Sequence, residues 1–518
     1  MCGIAAIIGK SFDNDEEPLM KKMLNLMEHR GPDESDIKRT PQCLLGHKRL
    51  SIISPEDGIQ PIPNESDNAW IICNGEIYNY KQLKKEHLQQ HQFLHNSDSE
   101  VALHLYEEYG KNCIDYLDGM FAFIISDSRS GQPSVFAARD PLGIKPLYYG
   151  QKNGKYYFAS ELKCLYGIVD EVIEFPPGNY FTLEDGFVPY RTVKTINDQI
   201  SFCEQYPLDE TLKVIRRLVE KAVKKRLMSD VPLGVLLSGG LDSSLIAAIA
   251  SKYYQGDGPI KSFCIGIKGS PDLTAARHVA KHLGTDHYEY IYTEQDILEA
   301  IPKVIYNLES FDPSLVRSAI PTYFVSKLAA EHVKVILSGE GADEIFSGYA
   351  YLEDISDELE LKRELVRVLG SIHNINLQRL DRLSMANSIE GRVPFLDEEL
   401  IKYVLHIPAK WKMPKQKDDI ISEKWLLRTA FDGTGYIPDD ILWRKKEEFS
   451  EGSGTKGFLE EKFNECISDL ELKTEVSRIY NEEGLEIRSK EELYFYRVFK
   501  TFYPHPSILK TVGRWAVN

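Results

Sequence analysis

The second half of the chain is organised around Val235-Leu-Leu-Ser-Gly-Gly-Leu-Asp-Ser-Ser244. The apolar run 233–237 predicts a buried strand, and residues 238–240 predict a turn. Residues 242–244 predict the N-cap region of a helix, because Asp and Ser side chains accept hydrogen bonds from the first helical N–H groups. The stretch therefore predicts a strand–turn–helix unit of an α/β domain.

This predicted turn has the chemistry of a phosphate site. Two glycines let backbone N–H groups approach a ligand closely, and a helix N-terminus adds a partial positive charge. Asp242 would repel a bare phosphate, which implies a bridging divalent cation, Mg²⁺. The Gly-Lys-Ser/Thr ending of a Walker loop is absent. An ordinary strand–turn–helix joint is the weaker alternative, because the two hydroxyls and the aspartate accompany the glycines.

Strands and helices alternate after residue 208. Helices are predicted at 212–228, 243–253, 272–283, 295–308 and 318–331, and strands at 262–266, 288–292 and 334–337. This alternation predicts a parallel sheet covered on both faces, with ligands at the carboxyl ends of its strands.

A second loop, Val335-Ile-Leu-Ser-Gly-Glu-Gly-Ala-Asp-Glu344, repeats the strand–Ser-Gly layout. Carboxylates so close to a phosphate loop repel one another without cations, so Asp343 is predicted to share Mg²⁺ with Asp242. Glu344 is predicted to lie in a solvated acidic turn. Further along, Lys446 is predicted to meet a leaving phosphate or developing negative charge, although such a charged run is usually a solvated surface.

The first half begins with a cysteine directly after the initiator Met. Methionine aminopeptidases remove Met before small residues, so Cys2 is predicted to become the mature N-terminus. Its free α-amine, with an ordinary pKa of about 7.7–8.0, can take the thiol proton directly or through one water. Cys2 is thus a candidate nucleophile that carries its own general base.

Residues 3 to about 190 predict a sheet-rich α+β domain with a few helices on its faces. Short β runs occur at 70–73, 120–125, 135–138 and 156–159, and helical spacing recurs at 20–27 and 101–105. The polar motifs between these elements suit a ligand with an α-amine, an α-carboxylate and a side-chain amide.

Each part of such a ligand has a candidate partner in the first half. Arg49 can fork onto the carboxylate, and Asp98 or Glu76 can accept from the ammonium. Asn74 and the Gly75 N–H can face the oxyanion that forms when the nucleophile attacks an amide. Taken singly, an Asn-Gly pair is more often a hairpin turn.

Length and composition bound the class of protein. The 518 residues predict two or three domains, with a boundary near 190–208. A net charge of -17 disfavours a nucleic-acid partner. No apolar run approaches the roughly 20 residues that span a bilayer, and a signal-peptide pattern is lacking. Eight scattered cysteines without Cys-x-x-Cys favour a reducing, cytoplasmic location.

The N-terminal half resembles the class II, N-terminal-nucleophile (Ntn) glutamine amidotransferases. The resemblance rests on Cys2-Gly3-Ile4, His29-Arg-Gly-Pro-Asp33, Arg49-Leu-Ser-Ile, Asn74-Gly-Glu76-Ile-Tyr-Asn79, Asp118-Gly-Met-Phe-Ala-Phe123 and Arg139-Asp-Pro-Leu-Gly-Ile144. It implies an Ntn-hydrolase αββα sandwich at residues 2–190, with Cys2 as nucleophile and Asn74 and Gly75 as oxyanion hole. On this resemblance glutamine is bound by Arg49, Leu50, Ser51, Ile52, Ile53, Asn74, Gly75, Glu76 and Asp98.

The C-terminal half resembles the synthetase domain of glutamine-hydrolysing asparagine synthetases, in the pyrophosphate-loop ATPase superfamily with its adenine nucleotide alpha hydrolase-like fold. The shared strings are Arg226-Leu-Met-Ser-Asp230, Leu236-Leu-Ser-Gly-Gly-Leu-Asp-Ser-Ser244, Gly269-Ser-Pro-Asp-Leu273, Ala276-Arg277, Ser338-Gly-Glu-Gly341, Glu390-x-Arg-Val-Pro-Phe-Leu-Asp397 and Leu442-Trp-Arg-x-Lys-Glu-x-Phe-Ser450. The resemblance implies an α/β ATP-binding domain at residues 208–518.

The same resemblance implies a reaction. ATP activates the β-carboxylate of aspartate as an adenylate with release of pyrophosphate, and ammonia from glutamine then displaces AMP. Glu340 is implied as the essential acid near the adenylate, Lys446 as a stabiliser of charge and Arg317 as the partner of the aspartate α-carboxylate. Asp242 and Asp343 are the implied Mg²⁺ ligands. ATP is implied to contact Leu237, Ser238, Gly239, Gly240, Asp242, Ser243, Ser244, Ile265, Ser338 and Gly339.

Two alternatives stay open at the level of sequence. Ser314-Leu315 stands where close relatives usually have two threonines before Arg317, which supports the same two-site amidotransferase acting on a different carboxylate acceptor. A non-catalytic relative is the other alternative, and the intact Cys2, Arg49, Asp98, Asp242 and Glu340 argue against it. We expect glutamine, aspartate and ATP as partners, neither nucleic acid nor membrane, and a homodimer as one assembly that the resemblance admits.

Overall fold

The computed structural model describes residues 2–12, 15–198, 207–413, 415–417, 420–446 and 449–515. Its contacts divide the chain into two compact units. Unit 1 comprises Met1–Ile200, Met228–Pro232 and Met385–Glu390, and unit 2 comprises Ser201–Leu227, Leu233–Ser384 and Gly391–Asn518. The initiator Met1 and residues 199–206 of the predicted boundary lie outside the described residues, so the bounds 2–190 and 208–518 stay predictions.

Unit 1 is built on two six-stranded sheets. Its strands are β1 (Gly3–Ile8), β2 (Glu34–Arg39), β3 (Cys43–Arg49), β4 (Ile62–Pro63), β5 (Ala69–Ile77), β6 (Gly119–Asp127), β7 (Ser134–Arg139), β8 (Tyr148–Lys152), β9 (Lys155–Ala159), β10 (Ile173–Glu174), β11 (Asn179–Thr182) and β12 (Gly186–Pro189). The sheet orders are β10-β8-β9-β1-β3-β2 and β12-β11-β7-β6-β5-β4. Helices α1 (Glu16–Leu26), α2 (Tyr80–His87), α3 (Glu100–Tyr109) and α4 (Val193–Asp198) join them, with 3-10 turns at Glu28–Arg30, Gly110–Asp115 and Leu162–Cys164.

The layers of unit 1 follow from the alternation of its strands. Apolar side chains on one face of each sheet meet in a shared core, where Ile4 of β1 and Ile124 of β6 are both buried. The other face of the second sheet packs on α3 through Val101. On the first sheet, Met20 of α1 lies over Gly46, where a Cβ would come within 2.5 Å of its sulfur. The predicted αββα sandwich is confirmed.

Unit 2 is built on a five-stranded sheet, β15-β14-β13-β16-β17. Its strands are β13 (Leu233–Leu236), β14 (Lys261–Gly266), β15 (Asp286–Ile291), β16 (Val335–Leu337) and β17 (Glu390–Arg392), and β18 (Lys415–Lys417) with β19 (Ile420–Ser422) forms a separate hairpin. β13 pairs in parallel with β14 and β16, and β14 pairs in parallel with β15. The predicted parallel α/β sheet is confirmed.

Helices and short turns complete this half of the chain. The helices are α5 (Leu208–Arg226), α6 (Leu241–Tyr253), α7 (Pro271–Leu283), α8 (Glu294–Leu308), α9 (Pro313–Ala330), α10 (Ala342–Phe346), α11 (Glu358–Ser371), α12 (Asn376–Met385), α13 (Glu398–His406), α14 (Trp425–Phe431), α15 (Asp439–Leu442), α16 (Phe449–Gly452), α17 (Thr455–Cys466), α18 (Asp469–Glu483) and α19 (Lys490–Phe502). The 3-10 turns are Ala350–Asp354, Ile372–Asn374, Pro394–Leu396, Ala409–Trp411 and Pro506–Thr511. None of the helices in the described ranges is both long and apolar enough for a membrane crossing.

Three helices begin two or more residues before the predicted start, and α5 is one of them, because it starts at Leu208 instead of 212. Helix α6 begins at Leu241 with Gly240 as its N-cap, so the N-cap prediction for residues 242–244 was wrong and these residues occupy the first turn. The prediction failed because the Ser243 hydroxyl bonds back to the Gly240 carbonyl at 3.3 Å. Helix α9 begins at Pro313, five residues before the predicted start at 318, because Asp312 caps it.

A buried ion pair ties α5 to the start of α13. The Asp397 carboxylate lies 2.6 Å from Lys225 Nζ and 2.9 Å from Arg226 Nη1, and the Asp397 and Arg226 side chains are both less than 5% exposed. Burial alone would raise the pKa of Asp397, but Arg226 and Lys225 lower it to about 2. We expect Asp397→Asn to lower the free energy of unfolding by about 3–5 kcal/mol, because it leaves two cations without their carboxylate.

Urea denaturation followed by circular dichroism measures this loss, and Glu399→Gln on the exposed Lys221–Glu399 pair is the matched control, expected to cost less than about 1 kcal/mol. Since the pKa of Asp397 is depressed from 3.8, its contribution is present above about pH 4 and is lost as the pH falls towards 2. Equal stabilities of the two variants would contradict the prediction.

Candidate active sites

The first site forms around Cys2, which directly precedes β1. Its backbone nitrogen lies 3.0 Å from Asn74 Oδ1 on β5, so the residue that leads into the first sheet meets a strand of the second there. The Cys2 side chain is buried, and burial raises the pKa of its thiol, while a hydrogen bond from the Leu50 backbone and the charge of Arg49 act in the opposite direction. A thiol of raised pKa needs a base at neutral pH, which is the role predicted for its α-amine.

Asn74 supplies an unused donor at this position. Its Nδ2 is buried and, within the described part of the chain, has no hydrogen-bond partner. Burying a donor without an acceptor costs about 1–3 kcal/mol, which an oxyanion bound there would recover. At Gly75 a Cβ would come within 2.1 Å of the Met120 carbonyl oxygen, so the close pairing of β5 with β6 requires glycine.

The predicted glutamine-binding residues lie in the same unit but are engaged with the chain. The Arg49 guanidinium contacts Glu34 Oε2 at 2.7 Å and the carbonyl oxygens of Ser54 and Asp57 at 2.7 and 2.8 Å. Asp98 accepts the Ile77 N–H at 2.6 Å. These contacts hold the segments beside Cys2 in place. The residues Leu50, Ser51, Ile52, Ile53 and Glu76 are buried as well.

Two residues behind Cys2 had no role in the sequence prediction. Arg30 Nε donates to the Cys2 carbonyl oxygen at 3.1 Å, and its Nη1 donates to Glu161 Oε1 at 2.9 Å. Both side chains are fully buried, so this pair fixes the backbone of Cys2. Arg30 belongs to the His29-Arg-Gly-Pro-Asp33 string and was detectable there, whereas nothing near Glu161 in sequence connects it with Cys2.

We expect Asn74→Ala to lower kcat for glutamine hydrolysis by about 10²–10³-fold, because it removes one oxyanion donor. The measurement is glutamate release at saturating glutamine. Asn68→Ala, also an amide in unit 1 but at a turn outside the site, is the control and should retain activity. A loss confined to KM would contradict the oxyanion role.

The second site is a cavity of about 430 Å³ in unit 2, at the carboxyl ends of the parallel strands. The structure brings twelve of the predicted residues to its wall: Leu237, Ser238, Gly240, Asp242, Ser243, Ile265, Arg317, Ser338, Gly339, Glu340, Asp343 and Lys446. Gly239 and Ser244 are not among the lining residues, and Ser244 is fully buried in α6.

Glycines let the first Ser-Gly loop pack closely on α7 and the second on the first turn of α6. Gly239 has a φ of 73°, and a Cβ there would come within 2.5 Å of the Ala275 backbone. In the second loop a Cβ at Gly339 would lie 2.9 Å from the Ser243 nitrogen. The hydroxyls of Ser238 and Ser243 are 3.0 Å apart across the first loop. Backbone and hydroxyl groups therefore line the cavity at close range, as a phosphate site requires.

Asp242 and Asp343 converge on one ammonium group. Lys424 Nζ contacts Asp242 Oδ2 and lies 2.8 Å from Asp343 Oδ1, which Lys446 Nζ also approaches to 2.6 Å. Burial raises the pKa of Asp242, whereas Lys424 and Lys446 outweigh burial at Asp343 and hold its pKa below the usual range.

The donor set at this position fits a divalent cation. Asp242 Oδ1 is buried and finds no hydrogen-bond partner among the residues that the structure describes. It therefore offers a carboxylate oxygen beside a second carboxylate, Asp343, which is the ligand chemistry that Mg²⁺ prefers.

The cavity wall is rich in positive charge although the chain as a whole is acidic. Seven basic and five acidic side chains line it. Such an excess of cations suits a polyanion such as a triphosphate. The basic residues are Arg317, Arg379, Lys424, Arg428, Arg444, Lys445 and Lys446, and the acidic ones are Asp242, Asp272, Glu340, Asp343 and Glu423.

The other predicted residues of this cavity already have protein partners. Arg317 pairs with Glu491 at 2.8 Å and with Glu460 at 2.9 Å, and Ser314 and Leu315 line the cavity on the same helix. Elsewhere in the wall, Glu340 pairs with Arg379. The Arg317 and Glu340 roles stay predictions.

Glu344 corrects one prediction. It is only 2% exposed, and its Oε1 accepts hydrogen bonds from Tyr349 Oη at 2.6 Å and Asn376 Nδ2 at 2.8 Å. Burial and the neighbouring Asp343 raise its pKa to about 7. The prediction that Glu344 lies in a solvated acidic turn was wrong, because the short helix α10 directs this side chain inwards.

Lys424 and Arg444 are cavity residues to which the sequence prediction gave no role. Lys424 follows the β18–β19 hairpin, and nothing in its local sequence distinguishes it from a surface lysine. Arg444 belongs to the same charged run as Lys446; it donates to the Gly239 carbonyl at 3.2 Å and to Asp272 Oδ1 at 3.1 Å. The charged run thus lines the cavity from 444 to 446, while residues 447 and 448 lie outside the described ranges.

Comparisons with known proteins match both halves. A family model described as "Glutamine amidotransferase domain" matches residues 1–189, and one described as "Asparagine synthase" matches residues 214–359 and 353–506. Asparagine synthetase [glutamine-hydrolyzing] 2 of Arabidopsis thaliana is 41% identical over 99% of this chain and 89% of the relative. Asparagine synthetase [glutamine-hydrolyzing] 2 of Oryza sativa subsp. japonica is 40% identical over 99% of this chain and 87% of the relative.

Among solved structures, the glutamine phosphoribosylpyrophosphate amidotransferase of B. subtilis is 17% identical over 56% of this chain and 81% of that chain. Its TM-score is 0.32, and at that score the likeness supports no inference about this chain.

Proposed function

This chain belongs to the family of glutamine-hydrolysing asparagine synthetases, and from that membership we propose that it makes asparagine from aspartate, ATP and the amide nitrogen of glutamine. The observation that carries the proposal is the pairing of two chemistries in one chain: the buried Cys2 beside an unused amide donor, and a cationic cavity lined by two Ser-Gly loops.

In unit 1 the proposed reaction is hydrolysis of glutamine through a thioester. The α-amine of mature Cys2 takes the thiol proton, and the sulfur attacks the side-chain amide carbon of glutamine. Asn74 Nδ2 and the Gly75 N–H face the oxyanion that forms, ammonia leaves, and water releases glutamate. Arg49, Glu76 and Asp98 bind the amino-acid end of glutamine.

In unit 2 the proposed reaction is adenylation followed by amide formation. The β-carboxylate of aspartate attacks the α-phosphorus of ATP, which gives β-aspartyl-AMP and pyrophosphate. Ammonia then attacks the activated carbonyl carbon and AMP leaves. Lys446 stabilises the developing negative charge, and Glu340 accepts a proton from the attacking nitrogen.

Asp242 and Asp343 would hold Mg²⁺, which supplies charge neutralisation for the phosphates of ATP when it is bound. The unpartnered Asp242 Oδ1 supports this assignment. Beside this carboxylate, Ser238 and Ser243 donate to phosphate oxygens. Lys424 balances the negative charge of Asp242 and Asp343 that the cation does not neutralise.

Aspartate is proposed as the acceptor carboxylate, with Arg317 as the partner of its α-carboxylate. The curated relatives are glutamine-hydrolysing asparagine synthetases, and none of the comparisons supports a different acceptor. The Ser314-Leu315 departure lies in the cavity wall and does not by itself argue for another substrate.

The proposed setting is the cytoplasm. The seven cysteines that the structure describes are all free thiols, which supports a reducing compartment. A homodimer stays a prediction.

A product assay tests the function. The protein is incubated with ATP, Mg²⁺, glutamine and aspartate, and the products are read by mass spectrometry. We expect asparagine, AMP, pyrophosphate and glutamate in equal amounts. If AMP and pyrophosphate form without aspartate, aspartate is not the acceptor. If ADP forms in place of AMP, the reaction does not pass through an adenylate.

A further inference from the structure

Unit 1 contains a second cluster of ligand-type side chains that neither proposed reaction uses. Glu65 comes from the connection between β4 and β5, His91 from the segment after α2, and His104 and Glu107 from one face of α3. One ligand atom of each lies within 4.8 Å of those of the other three. Three separate parts of the chain therefore converge on one point.

The two imidazoles are oriented in the same way. Each directs Nδ1 towards the cluster: His91 Nδ1 lies 3.0 Å from Glu65 Oε1, and His104 Nδ1 lies 2.7 Å from Glu107 Oε2. Each also directs Nε2 at a carboxylate outside it, His91 to Glu108 at 3.0 Å and His104 to Glu100 at 3.3 Å.

This arrangement is the one that metal-binding histidines adopt. A ligating imidazole almost always donates its other ring N–H to a carboxylate or carbonyl, which fixes the tautomer and the ring orientation. Glu107 is fixed in the same manner, since Asn64 Nδ2 donates to its Oε1 at 2.7 Å and leaves Oε2 facing the histidines.

The cluster is enclosed but reachable. The side chain of His104 is 0% exposed and that of Glu107 is 8% exposed, whereas the side chain of Glu65 is 29% exposed. An ion would enter past Glu65 and meet the two histidines inside. A wholly solvated group of acids would have neither this enclosure nor the fixed rings.

Charge gives a second, independent reason for an ion. Glu65, Glu107, Glu100 and Glu108 bring four carboxylates to two imidazoles, and the Arg129 guanidinium stands 3.7 Å from Glu107. His91 Nδ1 alone faces two of the acids, Glu65 at 3.0 Å and Glu107 at 3.8 Å. One imidazole proton cannot bond both carboxylates well, whereas a dication accepts all four ligands at once.

We propose that Glu65, His91, His104 and Glu107 form a binding site for one zinc ion. Two nitrogen and two oxygen ligands suit the tetrahedral, borderline character of Zn²⁺, and two carboxylates neutralise its charge. The role is structural, because four protein ligands leave no open position for a substrate.

The site has a consequence for the glutamine-binding segment. His91 stands seven residues before Asp98, and the intervening chain is already held by Glu100, which accepts the N–H groups of Leu94 and His95 at 2.7 and 2.8 Å. A zinc ion at His91 would fasten the start of this segment to α3. The inference does not rest on the proposed function, since metal binding is measurable without either reaction.

Zinc titration of the full chain tests the site. Cys2→Ala protein is used with millimolar Mg²⁺, so that neither the terminal thiol nor the acids of the second cavity compete for zinc. We expect one equivalent of zinc chloride to bind, with a rise in Tm that follows zinc concentration. His91→Gln and Glu65→Gln should each weaken binding by more than 10-fold, and Glu108→Gln by about 10-fold. Co²⁺ bound at the site should give the intense visible absorption of tetrahedral coordination.

His278→Gln is the matched control, since it removes an exposed His–Asp pair from unit 2 and should leave zinc binding unchanged. Glu65→Gln keeps the test usable if His91→Gln fails to fold, because Glu65 is exposed in part. Absence of zinc uptake by the Cys2→Ala protein would overturn the proposal. So would equal affinity in that protein and in its Glu65→Gln derivative.

Discussion

Cys2→Ala is expected to abolish glutamine-dependent synthesis of asparagine and to leave ammonia-dependent synthesis intact. The substitution removes the sulfur that attacks the amide, and no other group at that position can form the thioester, so glutamate release should fall by at least about 10⁴-fold. Free ammonia bypasses this step, because adenylation uses residues of unit 2 alone. The measurement is asparagine formation with glutamine and, separately, with an ammonium salt.

Cys466→Ala is the control for loss of a thiol, since Cys466 is exposed and lies in unit 2. It should retain both activities. If Cys2→Ala lowers the glutamine-dependent and ammonia-dependent rates equally, the division of the reaction between two sites is wrong. Mass spectrometry of the N-terminus completes the test, because a retained Met1 would leave Cys2 without the α-amine proposed as its base.

The residues around Cys2 could be predicted as far as they are local in sequence. Cys2 and Asn74 lie in short motifs whose residue types alone predict a nucleophile and an oxyanion donor. The structure places the Cys2 nitrogen 3.0 Å from Asn74 Oδ1. The Arg30–Glu161 pair behind them could not be predicted, because it depends on the packing of residues 131 positions apart. Arg49 shows the same limit: its residue type predicts a carboxylate partner, but its carbonyl contacts follow from a loop conformation.

The second half was predictable in its alternation and in its loops. Apolar runs followed by Ser-Gly turns predicted β13 and β16, and parallel pairing of these strands brings both turns to one edge. Lys424 was not predictable, since a lysine acquires its position between Asp242 and Asp343 only through the fold. The direction of Glu344 was missed for a related reason, because sequence periodicity is uninformative over a helix of five residues.

Asp242→Asn is expected to stop asparagine synthesis with either nitrogen source, while glutamine hydrolysis persists. Asparagine keeps the shape of the side chain but removes the negative charge that faces Lys424. It also leaves a neutral amide in place of the carboxylate proposed to bind Mg²⁺, whose Oδ1 has no partner among the described residues. Lys424 is then balanced by Asp343 alone, and its excess charge competes with the cation for the phosphates. We expect pyrophosphate release to fall on the order of 10³-fold, the size of effect found when one preorganised group is removed from a reacting centre.

Glu340→Ala tests the proposed proton transfer separately from the proposed metal site. It removes the proposed acceptor for the ammonia proton but leaves Asp242 and Asp343 in place, so aspartate-dependent pyrophosphate release should survive better than asparagine formation. In Asp242→Asn both should fall together, because adenylation itself is blocked. Asp439→Asn, on an exposed turn of α15, is the matched control and should alter neither. If Asp242→Asn still releases pyrophosphate, the assignment of Asp242 as a Mg²⁺ ligand is wrong. If it also loses glutamate release, the variant is misfolded and the loss of synthesis does not report on the charge of Asp242.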